Sequence, residues 1–338
     1  MNKTNNTYII AEAGLNHNGS LKNAKKMVDL AIKAGADAIK FQIFKTENLV
    51  TKKAIKANYQ KKNTNKNETQ FEMIKKIQLN EKDQIKLLKY IQNKKIDYLS
   101  SPFDLWGLEF LIKNNINKIK IPSGEITNYP LLEQIGKINK KIFLSTGMSN
   151  IKEISEALSI LQKNGTNKKN ITLLQCNTEY PTPDKDANLR VLLTLKNKFK
   201  IAIGYSDHTL GYHIPIAAVA LGATVIEKHF TLSKKMKGPD HISSMEYNDF
   251  KKMVEYIRKT EVAIGDGNKK ASKSEIKNIK IARKSIVAKQ NIYKGEKFTN
   301  FNITTKRPGI GITPMKWKKI IGTKAKFNFK KDELIKIL

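Results

Sequence analysis

The chain has 338 residues, 40% of them hydrophobic and 28% charged, enough apolar sequence for a buried core and too much for a chain disordered throughout. No apolar run approaches the ~18 residues of a membrane span, and the single cysteine, Cys176, excludes an intrachain disulfide framework or an all-cysteine zinc site. The net charge of +33 is lysine charge: only Arg190, Arg258, Arg283 and Arg307 are arginines, which reads as a solvated lysine-rich surface rather than the arginine forks of a phosphate reader. These features describe a cytoplasmic protein with neither a membrane nor a nucleic acid as partner. A basic nucleic-acid-binding protein is the competing reading from another class.

The length fits two domains, or one large barrel with an appendage. Short β-branched runs alternate with amphipathic stretches. Strands are expected at Tyr8 to Ala13, Ala38 to Ile43, Asp97 to Ser101, Lys118 to Ile121, Lys141 to Ser145, Ile171 to Cys176, Lys200 to Gly204 and Thr224 to Lys228. Intervening segments such as Leu21 to Ala34, Leu105 to Asn114, Ile151 to Lys163 and Ile214 to Leu221 are long enough for right-handed crossovers. Eight strand-helix units predict an α/β fold, a (β/α)8 TIM barrel. The polar insertion Lys45 to Asn67 is too long for an ordinary connection and reads as a lid or substrate loop, mobile without ligand. The barrel is expected over 1–264, a glycine- and lysine-rich linker over 265–282, and a small β-rich module over 283–338.

Active sites of such barrels lie at the C-terminal ends of the strands. Those ends carry Glu12 with Asn16 and His17, Lys40 with Gln42, Ser101, Lys120 with Ser123 and Glu125, Ser145, Tyr180, Ser206 with His208, and His229. His208 and His229 follow adjacent strands, a plausible open pair of ligands for a divalent metal such as Mn2+ or Mg2+; imidazoles bonded to carboxylates without a metal are the alternative. Lys40 and Lys120 sit inside apolar strands, where an ammonium is costly unless an anion neutralises it. With the serine hydroxyls they suit a substrate carrying phosphate and carboxylate, unless Lys120 pairs with Glu12 or Glu125 within the barrel. Glu125, after Pro122-Ser123-Gly124, is the acid-base candidate, against a role as cap of a helix near Asn128 to Ile138. Glu12 and Lys120 complete the candidate catalytic set.

The sequence resembles the sialic acid synthase (N-acetylneuraminate synthase) family over nearly its whole length. The likeness is carried by Ala11-Glu12-Ala13-Gly14-Leu15-Asn16-His17-Asn18-Gly19, Lys40-Phe41-Gln42, Ser101-Pro102-Phe103-Asp104, Lys120-Ile121-Pro122-Ser123-Gly124-Glu125, Ser145-Thr146-Gly147-Met148, Tyr180-Pro181-Thr182-Pro183, Gly204-Tyr205-Ser206-Asp207-His208, Glu227-Lys228-His229-Phe230, Gly238-Pro239-Asp240-His241 and Lys306-Arg307-Pro308-Gly309. The resemblance implies condensation of phosphoenolpyruvate with an N-acetylhexosamine to a nine-carbon 2-keto acid, assisted by a divalent metal, usually Mn2+ with Mg2+ or Co2+ as alternatives. It also implies that the C-terminal module is an antifreeze-like (β-clip, SAF) domain. Lys40, Ser101, Lys120, Ser123, Ser145 and Ser206 match phosphoenolpyruvate-binding positions, and His208 and His229 metal ligands. Glu12, Gln42, Glu125, Tyr180 and Asp240 match positions around sugar and metal. Arg307 matches an arginine that meets the sugar's acetamido group in the partner protomer's site, which implies a domain-swapped homodimer. Thr178 stands where some members carry asparagine beside the sugar, and Phe41 and Phe44 where that branch carries histidines. On these motifs N-acetylmannosamine ranks first as the sugar, 2,4-diacetamido-2,4,6-trideoxymannose second, and pseudaminate precursors third.

Overall fold

Eight parallel strands close into a barrel in chain order: β1 (Tyr8–Gly14), β2 (Ala38–Ile43), β3 (Asp97–Pro102), β4 (Lys118–Ile121), β5 (Lys141–Ser145), β6 (Ile171–Cys176), β7 (Ala202–Asp207) and β8 (Val225–His229), with β8 pairing back onto β1. The computed structural model describes residues 6–337 and divides into two compact units, Met1–Gly265 and Asp266–Leu338. No described helix is long and apolar enough to cross a membrane.

Strand side chains alternate between two faces, and this period builds the barrel in layers. Ile9, Ala11, Ile39, Ile119, Leu144 and Ile226 point outward into one large core beneath the surrounding helices. Ile10, Ala38, Leu99, Phe143, Leu174 and Val225 point inward and plug the barrel. Two residues further along, the inward position turns polar on five of these six strands, with Glu12, Lys40, Ser101, Ser145 and Glu227 standing above the apolar plug, and is Cys176 on the sixth. Gly204 marks the tightest point, where an added Cβ would meet Val225 O and Leu174 Cδ2 at 2.6 Å.

The expected strand set holds, with a shift at β7. Lys200 takes a left-handed conformation (φ 51°) that ends helix Val191–Phe199, so the strand starts at Ala202 and runs on to Asp207. The insertion after β2 is not the loop its composition suggested: it holds helices Thr46–Leu49 and Asn58–Asn63. A lysine read as solvated organises it. Lys56 is buried and its ammonium donates to Thr64 Oγ1 (2.9 Å), to the Asn65 carbonyl and to Glu68 (3.3 Å), so the polar segment folds around its own internal cation.

The second unit has its own core of Ile286, Ile292, Phe298, Ile303, Ile320 and Phe329. An antiparallel pair, β9 (Ser285–Ala288) with β10 (Ile303–Lys306), is extended by isolated bridges such as Ile292 to Phe329. Helix Ile276–Ala282, within the stretch expected as linker, belongs to this unit: Lys280 O accepts from Gly309 N at 2.8 Å.

Candidate active site

The strand alternation delivers the polar residues to one cavity of about 300 Å³ at the C-terminal mouth of the barrel, within the range of small-molecule sites. Glu12, Lys40, Gln42, Ser101, Lys120, Ser123, Glu125, Ser145, Thr178, Tyr180, Ser206, His208, His229 and Asp240 all line it. Every site residue expected in the barrel is therefore gathered at one place. Arg307 lies in the other unit, exposed, its guanidinium Nε donating to Ala282 O at 3.0 Å.

Two buried ammoniums and two buried carboxylates form the floor. Lys40 Nζ lies 2.7 Å from Glu12 and 3.8 Å from Glu227; Lys120 Nζ lies 2.7 Å from Glu227. The suspected ion pair of Lys120 is real, but its partner is neither Glu12 nor Glu125. It is Glu227, which also accepts from Ser206 Oγ at 3.0 Å. Glu227 shares the inward face of β8 with His229, and that alternation alone would have found it. Burial raises the proton affinity of both carboxyls, but Glu227 sits between Lys120 and Lys40, which hold it down at about 2. Glu12, with one close ammonium and the Glu227 charge nearby, is left above the usual carboxylate range. For Lys120 burial outweighs the pull of Glu227 and lowers its proton affinity; Lys40, flanked by two carboxylates, is raised despite burial.

The hydroxyls surround this floor. Ser101 Oγ accepts from Lys40 Nζ at 3.3 Å, and Ser123 Oγ accepts from Gly147 N at 3.0 Å beside Cys176 Sγ at 3.1 Å. Ser145 Oγ and Glu227 Oε2 are buried without a hydrogen-bond partner among the described residues, a cost that an incoming polar ligand would relieve.

His208 and His229 stand with ring centroids 5.1 Å apart. A carbonyl can only accept, so His208 Nδ1, bonded to Asn177 O, carries the proton and Nε2 keeps its lone pair, here taken by the Tyr180 hydroxyl at 3.0 Å. Burial holds His208 near 4 and His229 well below the ordinary imidazole range, so both are neutral at pH 7. Nδ1 of His229 is buried without a partner among the described residues. A ring fixed through a backbone carbonyl, with its other nitrogen aimed at the cavity, is how imidazoles are prepared for metals; His208 Nε2 would bind a divalent cation once the Tyr180 hydroxyl gives it up, beside His229, with water or substrate completing the coordination. Among the described residues no third carboxylate, thiolate or imidazole is gathered with them at ligand spacing. His17 accepts from Gly19 N and His213 meets Asp184, both away from this pair.

Glu125 occupies a short 3₁₀ turn after β4. The helix Tyr129–Lys137 is capped by Asn128, whose side chain accepts from Leu131 N, and Glu125 accepts from Asn128 Nδ2 at 2.6 Å. Burial raises the Glu125 carboxyl against this hydrogen bond. Asp240 is pushed up to about 7, by burial first and then by Glu12. The insertion read as a substrate loop does line the cavity, through Leu49, Val50, Tyr59 and Gln60, and the contact that sequence did not foresee is its stack: Tyr59 on Tyr180 (4.9 Å), which stacks on His208 (4.1 Å). Aromatic spacing in a lysine-rich segment gives no signal for such a contact.

A family model for the NeuB family matches residues 27–269, and one for the SAF domain matches residues 283–337. An N,N'-diacetyllegionaminic acid synthase of Campylobacter jejuni is 53% identical over 330 residues, 98% of this chain and 99% of that one. A synthase of the same name from Legionella pneumophila is 40% identical, covering 95% and 91%. The crystal structure of an N-acetylneuraminic acid synthetase from Leptospira borgpetersenii matches with a TM-score of 0.71 at 34% identity, over 81% of this chain and 90% of that one. With barrel and C-terminal module both matched, the chain belongs to the NeuB family, as a nonulosonic acid synthase that carries a SAF domain.

Proposed function

We propose that this enzyme condenses phosphoenolpyruvate with 2,4-diacetamido-2,4,6-trideoxymannose and water, giving N,N'-diacetyllegionaminate and phosphate. The observation that carries the choice of sugar is the 53% identity, over almost the whole of both chains, to a synthase named for that product. It favours the sugar ranked second on motifs over N-acetylmannosamine, which stays as the second reading on the likeness to the Leptospira synthetase.

The floor supports the phosphoenolpyruvate half. Lys40 and Lys120, with Ser101, Ser123, Ser145 and Ser206, hold its phosphate and carboxylate. The arriving anion takes Lys40 from Glu12, whose carboxyl burial holds above the usual range, while Glu227 keeps Lys120 oriented. Gln42, Thr178, Tyr180 and Asp240 position the sugar so that its C1 meets C3 of phosphoenolpyruvate. The C3–C1 bond forms, water adds at C2, and the C2–O bond breaks with its electron pair leaving on phosphate. Glu125, raised by burial, takes the proton of that water, and the oxygen of the former sugar aldehyde takes up one proton in turn, so that the step closes as a hydroxyl, a keto acid and phosphate. His208 and His229 hold a divalent cation, Mn2+ before Mg2+ or Co2+, which when bound supplies Lewis-acid polarisation of the sugar carbonyl. A domain-swapped homodimer, with Arg307 directed to the acetamido group, belongs to the same proposal.

The test is phosphate release from phosphoenolpyruvate with Mn2+, run with each sugar, with and without chelator. Faster turnover of the diacetamido sugar, lost on chelation, is expected. Preference for N-acetylmannosamine overturns the choice of sugar, full activity in chelator overturns the metal, and silence with both sugars returns the basic binding protein.

A further inference from the structure

Above the charged floor the cavity has a second, chemically opposite surface. Leu15, Phe44, Met73 and Ile74 are buried together as a separate apolar cluster, with Leu49, Val50 and Phe103 packed against them, and all of them line the cavity. Leu15, Phe44 and Phe103 directly follow β1, β2 and β3, so this wall stands one layer beyond the floor on the side built by residues 44–77. It is held in place: Phe44 packs edge-to-face on Phe103 at 5.9 Å, Lys45 N and Asn48 Nδ2 donate to Asp104 Oδ2, and Thr46 N donates to Gln78 Oε1.

The sugar's C1 must meet phosphoenolpyruvate over Lys40 and Lys120, so the opposite end of its open chain extends away from the floor. Gln60 and Gln70 of the same segment also line the cavity, but over the cluster itself the hydrocarbon and thioether side chains offer a hydroxyl no hydrogen bond, whereas they bury a methyl favourably. We propose that this wall reads C6 of the sugar, selecting a methyl over a hydroxymethyl group. The proposal rests on the diacetamido reading and deepens it, because that sugar ends in a C6 methyl and N-acetylmannosamine in a hydroxymethyl.

The experiment measures kcat/KM for two pairs of sugars that differ only at C6: N-acetylmannosamine against its 6-deoxy counterpart, and 2,4-diacetamido-2,4-dideoxymannose against the 2,4,6-trideoxy sugar. The wall predicts a preference of ~10–100-fold for the deoxy member of each pair, the discrimination open to an apolar pocket. Val50→Thr, which keeps side-chain shape, and Met73→Gln should each lower that ratio about tenfold, and Met73→Leu should keep it. No C6 preference in the wild type, or equal losses on both members of a pair in the polar variants, overturns the wall's role. A C6 preference that persists while the monoacetamido pair outruns the diacetamido pair supports the wall and overturns the diacetamido reading, so the two failures separate.

Discussion

Adjacent residues of β8 face opposite ways into two buried ion pairs of different character. Glu227 points inward to Lys120 and Lys40, and Lys228 points outward to Asp207. The outward pair is closed. Lys228 Nζ donates to Asp207 and to the Thr209 carbonyl, while Asp207 accepts from Thr209 N (2.9 Å) and Thr209 Oγ1 (3.1 Å). The inward set is open: among the described residues one oxygen of Glu227 and the Ser145 hydroxyl lack partners, and both residues line the cavity. Buried charge alone therefore does not mark a site. A charge whose hydrogen-bonding capacity is exhausted locally serves the fold, and one left with capacity facing a cavity is available to a ligand.

The comparison breaks most visibly if the outward pair can be cut without cost. Lys228→Met leaves Asp207 buried and uncompensated and should lower the unfolding free energy by about 3–5 kcal/mol, read by chemical denaturation. The double variant Lys228→Met/Asp207→Asn, which removes both charges, should recover much of that loss. A single variant as stable as the wild type would mean that the outward pair is dispensable to the fold.

The inward set should answer in activity. Lys120→Met removes one ammonium from the floor yet leaves Glu227 with Lys40 and Ser206, so denaturation should change little. The value of kcat/KM for phosphoenolpyruvate should fall by roughly 10²–10³-fold, the scale of losing one preorganised charge-stabilising group. A large stability loss with modest kinetic change would reduce this set to a second structural pair.

How much of this was readable beforehand follows from the physics of each signal. The eight strands and the cavity residues were legible because strand alternation and strand-end position are local properties of sequence. Glu227 lay within that alternation, one step from His229, yet the partner of Lys120 was sought among Glu12 and Glu125, because which carboxylate crosses a barrel depends on radius and register. The folding of residues 45–67 was hidden for another reason: its lysines look solvated in composition, and only the tertiary enclosure of Lys56 makes one of them a core residue. The apolar wall was illegible too, since Leu15, Phe44 and Met73 come from three separate connections.

A third kind of buried titratable group, with no counter-charge at all, sharpens the contrast with both pairs. His17 is buried, its Nδ1 accepts from Gly19 N at 3.0 Å, and its Nε2 has no partner among the described residues. Burial, then the neighbouring His241, lowers it to about 4. Since the unfolded imidazole titrates near 6.5, the unfolded chain binds the proton first, and stability present above that value is lost as pH falls toward 4. Glu227, held at about 2, stays ionised throughout this window, while Asp240, raised to about 7, and Glu12, raised above the carboxylate range, take up protons in the folded state and act in the opposite sense to His17. His17 alone should cost about 2 kcal/mol between pH 7 and pH 5, with His208, also held near 4, acting in the same sense. His17→Asn keeps an acceptor for Gly19 N without a titrating ring and should flatten the dependence by that amount in denaturation curves at the two pH values. An unchanged slope in the variant would move the acid sensitivity away from His17 and onto the paired groups.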